Sequence, residues 1–92
     1  MSRQMLSLAR AQILAVSSFS SAAQLDRVSV DAAIQATVRS YGGVNGCVAA
    51  LAQEFGEYPE TAPLRMRWAK QAVAALYDTR VNASVNTHLV AA

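Results

Sequence analysis

Four glycines, two prolines, one cysteine and one histidine are all that this 92-residue chain holds of the residues that most often punctuate a fold or carry its chemistry. A lone Cys47 cannot close an internal disulfide and suits a reducing compartment, so a cytoplasmic location is expected. Cys47 and His88 are the only soft ligands, too few for a zinc centre of about four, and no metal or other cofactor is expected. Gly42, Gly43 and Gly46 lack the lysine and preceding strand of a phosphate-cradling loop. No apolar run approaches the roughly 18 residues of a membrane span, so no span is expected. Charged residues make up only 15% of the chain with a net charge of +2, yet 53% is hydrophobic, which argues against disorder.

What is abundant is alanine, at 19 positions. Strong helix formers with so few breakers point to an all-α fold, a single domain of about four short helices. The first segment, 2–16, has Met5, Leu6, Leu8, Ala9, Ile13, Leu14 and Val16 around most of its circumference, leaving Ser7, Arg10 and Ser17 on a narrow polar side. A helix this apolar wants cover on more than one side, as a central core helix or as the seam of a homodimer. Residues 1–25 also share the acid-free, serine-rich composition of an organellar transit peptide. The serine cluster then reads as a mobile linker over 17–28.

Ser29 is the expected N-cap of a second helix over 29–41, with Asp31 near its positive end and Val30, Ala33, Ile34, Thr37, Val38 and Tyr41 at three- and four-residue steps. Gly42 and Gly43 should end it in the left-handed conformation. A third helix, 44–55, carries the stripe Val44, Val48, Leu51, Ala52 and Phe55, expected to face the core, and Gly56 should stop it. Near its start, Cys47 is either a thiol activated by the helix end or a buried small hydrophobe, and the second is the commoner fate. Thr61 caps a fourth helix over 62–77, with Pro63 in its first turn. The tail, 81–92, alternates weakly and reads as a loose or partner-bound end.

The fourth helix holds the anomaly. Leu64, Trp68, Ala69, Ala72, Val73, Leu76 and Tyr77 form a wide apolar arc, and Arg65 falls inside it, in a first turn where the helix dipole disfavours a cation. Its partner should be a carboxylate among Glu54, Glu57 and Glu60, or an anionic ligand. Trp68 is expected to anchor the helix, and Arg65, Arg67, Lys70 and Gln71 are the candidate residues for a protein or nucleic-acid partner.

Charge is unevenly spread, with residues 1–25 at +2, residues 26–60 at −3 and residues 61–92 at +3. No triad can be assembled around His88, which has Ser84 nearby but no placed acid, so an enzyme is not expected. Two readings follow. The chain is a non-enzymatic helical protein that acts by protein–protein interaction, as an adaptor, a chaperone-like protein or an inhibitory or regulatory module. The alternative is a helix-turn-helix transcriptional regulator that reads DNA with the 62–77 helix. Against the alternative stand a turn longer than usual, the repulsion of phosphates by Glu57 and Glu60, and a narrow polar strip.

Overall fold

The computed structural model describes residues 3–77, and over that span the protein is all-α. Four helices follow one another: α1 (Arg3–Val16), α2 (Arg27–Ser40), α3 (Val44–Glu57) and α4 (Ala62–Tyr77). None of these is long and apolar enough to cross a membrane. The tail reading, with His88 and Ser84, lies outside the described residues.

The near-uniform apolarity of the first segment has a simple outcome. α1 lies at the centre and packs against α4, α3 and α2 in turn. Ala11, Leu14 and Ala15 of α1 meet Val30 of α2, Leu51 of α3 and Met66, Ala69, Ala72 and Val73 of α4 in one buried cluster. Alanine at positions 11, 15, 69 and 72 keeps the side chains between α1 and α4 small. The first two turns of α1 are less covered, with Met5, Leu6 and Leu8 exposed.

The linker between α1 and α2 is ten residues long and turns locally on its serine hydroxyls. Ser17 Oγ donates to the Leu14 carbonyl at 2.6 Å and accepts from the Phe19 N–H at 3.2 Å, while Ser20 Oγ accepts from the Ala22 N–H at 3.1 Å. These local hydroxyl turns are why serine clusters here. Phe19 and Leu25 pack against the core cluster.

Two helix boundaries differ by two residues from the spacing. α2 begins at Arg27, two residues early, because Asp26 and not Ser29 is its N-cap. The Asp26 carboxylate accepts from the Ser29 N–H at 2.8 Å, and that bond holds its pKa below the usual aspartate value. α3 runs through Gly56 to Glu57, a continuation supported by an i, i+4 hydrogen bond from Gln53 to Glu57 at 2.9 Å. The stop comes one residue on, where Pro59 disfavours helical geometry at Tyr58, found at φ −129°, ψ 65°.

The corner between α2 and α3 forms as its glycines demand. Gly42 has φ +75° and Gly43 φ +120°. The Gly43 N–H bonds the Val38 carbonyl at 2.8 Å and the Gly42 N–H bonds Arg39 at 3.4 Å, the paired bonds of a Schellman motif. Gly46, in the first turn of α3, then lies directly on the Tyr41 carbonyl.

Candidate functional site

Arg65 is half-buried, and its guanidinium goes to none of the three expected carboxylates. Nε donates to the Ala15 carbonyl at 3.1 Å; Nη2 donates to Ser17 at 3.1 Å, to Leu14 at 3.4 Å and to the Phe19 carbonyl. These oxygens are the C-terminal end of α1 and the first turn of the linker. α1 has no basic residue in its own last turn, so a cation from the far end of the chain complements the negative pole of its dipole. The side chain thereby leaves the positive end of α4, where a cation is unfavourable. The Arg65 guanidinium carbon also sits 4.3 Å from the centroid of the Trp68 ring, and Trp68 stacks on Phe19 at 6.2 Å with 18° between planes. Trp68 is half-buried rather than enclosed. Burial pushes the Arg65 pKa down, although the group stays charged.

The other three candidate residues are exposed. Arg67, Lys70 and Gln71 share the outer strip of α4, while Arg65, about 200° round from Arg67, faces inward. The four do not form one surface. A cleft where the end of α1 meets α3 and α4 has Glu54, Thr61 and Arg65 in its lining, with apolar Leu51 behind them.

The larger departure concerns α3. Of the stripe expected to face the core, only Leu51 is buried; it is joined by Cys47, while Val44, Val48, Ala52 and Phe55 are exposed. Two contacts with the end of α2 fix the rotation of α3 about its axis. Gly46 is pressed against the Tyr41 carbonyl, and the Cys47 thiol donates to the Thr37 carbonyl at 3.7 Å. With positions 46 and 47 held to α2, the rest of the stripe is turned outward. Burial also pushes the Cys47 pKa up, which suppresses the thiolate, and the residue is a packed small hydrophobe.

A polar cluster that the spacing did not reveal ties three helices together at the other end. The Tyr77 hydroxyl donates to Asp31 Oδ1, and the guanidinium carbons of Arg10 and Arg27 lie 4.1 Å and 4.9 Å from its ring centroid. Its only trace in the sequence is the i, i+4 spacing of Arg27 and Asp31. Burial, the bond to Asp31 and the negative charge of Asp31 push the Tyr77 pKa up to about 12, against the opposing pull of Arg10 and Arg27. The fold favours the neutral phenol. This contribution to stability is therefore whole below the unfolded tyrosine value near 10 and is lost as pH rises toward about 12. In a titration followed by phenolate absorbance, one of the three tyrosines should ionise near 12, and Tyr77→Phe should delete that step. A single common step in the ordinary tyrosine range would refute the cluster.

Among the described residues no three His, Cys, Asp or Glu side chains are grouped to hold a metal ion. Comparison with protein-family models, curated proteins and solved structures finds no match to this chain.

Proposed function

We propose that the chain is a non-enzymatic helical module that acts by docking onto protein through the outer face of α3, in an adaptor, chaperone-like or regulatory role. The observation that supports this reading is the exposure of that face. Only Asn45, Gln53, Glu54 and Glu57 among the fourteen residues of α3 have polar side chains, yet the helix buries only Cys47 and Leu51. Val44 is 45% exposed, Val48 39% and Phe55 38%, all within about 40° of one another round the helix. Large side chains left in water along one line of a helix are the anchors of helix-type recognition.

DNA reading by α4 is the poorer account. With the Arg65 donors engaged by carbonyl oxygens, Arg67 and Lys70 are the cations left on the outer strip. Two phosphate contacts give only a shallow salt dependence and weak binding.

A photo-crosslinking residue placed at Val48 or at Gln71 in the producing cell separates the two. Protein adducts are expected from position 48, and they should disappear when Phe55→Glu is added. Silence at position 48, or nucleic-acid adducts from position 71, would overturn the reading.

A further inference from the structure

We infer that the cleft where the end of α1 meets α3 and the start of α4 binds a small zwitterion, an α-amino acid with an aliphatic side chain, its carboxylate at Arg65 and its ammonium at Glu54.

The cleft has a volume of about 310 Å³. That lies at the small end of the roughly 300–1,000 Å³ usual for small-molecule sites. Its apolar lining is aliphatic, from Ala15, Val16, Leu51 and Ala62. Two full charges of opposite sign share its wall, Arg65 and Glu54, yet they make no ion pair with each other, and among the described residues Glu54 has no cation for its carboxylate.

The guanidinium still has donors to give. Nε and Nη2 hold the carbonyls at the end of α1, and Nη1 takes part in none of those bonds. Arg65 is half-buried and fixed by the fold, so its remaining N–H groups meet a carboxylate without the cost of ordering a free side chain. Beside it, the positive end of α4 has no acidic residue in its first turn, which adds to the attraction for an anion. The other wall has the reverse sign. Glu54 is exposed in the last turn of α3, which has no basic residue, and its carboxylate and the negative helix end both favour a cation. A simple anion is repelled by Glu54 and a simple cation by Arg65. A ligand that carries both charges satisfies the two walls, and its aliphatic side chain covers the apolar lining. Glu54 lies about 100° round α3 from the line of Val44, Val48 and Phe55, so this site and the docking face stand independently.

Titration of the isotope-labelled full chain with L-leucine, followed by amide chemical shifts, tests this. Saturable shifts should collect at Ser17, Leu51, Glu54, Thr61 and Ala62, with a Kd of roughly 1 mM, as suits about nine non-hydrogen atoms in an open cleft. Isocaproate, which lacks the ammonium, and isopentylamine, which lacks the carboxylate, should each bind at least about 10-fold more weakly. Glu54→Gln changes an exposed side chain and should leave the fold intact. It should weaken leucine about 10-fold and leave isocaproate no weaker than before, because the repulsion is gone. Glu60→Gln, on the turn outside the cleft, should leave leucine binding as it is in the parent. No saturable shift up to about 50 mM leucine, or shifts scattered away from the cleft, would overturn the inference. So would isocaproate binding as tightly as leucine, or equal losses from Glu54→Gln and Glu60→Gln.

Discussion

A chain carrying Gly46→Ala should lose about 3–5 kcal/mol of stability, most of what a domain of this size possesses. An added Cβ would sit 1.8 Å from the Tyr41 carbonyl oxygen, 2.9 Å from its carbon and 3.3 Å from the Tyr41 Cβ. Two of those three atoms are backbone, so no rotamer change relieves the clash. Nor can the backbone retreat cheaply. The Tyr41 N–H bonds Thr37 at 3.0 Å, and the next two residues are held by the Schellman bonds to Arg39 and Val38. The opposite sign is expected ten residues on. Gly56 is also helical, but a Cβ there meets nothing within 4 Å, so Gly56→Ala should stabilise by about 0.5–1 kcal/mol. Urea denaturation of the two variants beside the parent checks both. Equal and small effects would mean that α3 does not rest on the Tyr41 carbonyl. Because that contact also sets the rotation of α3, a surviving Gly46→Ala chain should have a weakened outer face as well.

Which parts of this were legible in the sequence follows from what periodicity can encode. Spacing marks residues that share a face, and from it came four helices, the break at Gly42 and Gly43, and α4 over Ala62–Tyr77. It does not say which side of an apolar helix the rest of the chain covers. For α3 that choice rests on a contact between Gly46 and a backbone oxygen, and backbone oxygens are the same at every residue. Gly56 misled for a related reason: glycine permits a stop without compelling one, and the turn after it is set by Pro59. Arg65 was conspicuous as a cation out of place, but its partners are carbonyls about fifty residues away. The available signal was negative. α1 ends at Val16 with neither a cation in its last turn nor a glycine after it, so its carbonyls needed a donor from elsewhere.

Arg65 is accordingly expected to matter for stability and hardly at all for surface charge. Arg65→Ala should cost about 2–4 kcal/mol. Charge-assisted hydrogen bonds are worth about 1.5–3 kcal/mol and stacking of a cation on an aromatic face about 0.5–2. The two are not additive, and water can rehydrate part of the freed α1 terminus, which keeps the total below the sum. Arg65→Lys should recover only a fraction, since a single ammonium cannot reach the carbonyls of Leu14, Ala15, Ser17 and Phe19 with the geometry of a planar fork. Arg67→Ala and Lys70→Ala, each exposed, should stay within about 0.5 kcal/mol of the parent. Trp68 reports the same event optically. With the guanidinium gone from its face and the Phe19 segment loosened, its emission should shift to the red in Arg65→Ala but not in Arg67→Ala. An Arg65→Ala chain as stable as its parent, with Trp68 emission unmoved, would free that arginine from α1 and return it to the outer strip as a third cation for a phosphate backbone. The expected loss keeps it inside the fold, bound to the end of α1, and leaves Arg67 and Lys70 as the cations of the outer strip of α4.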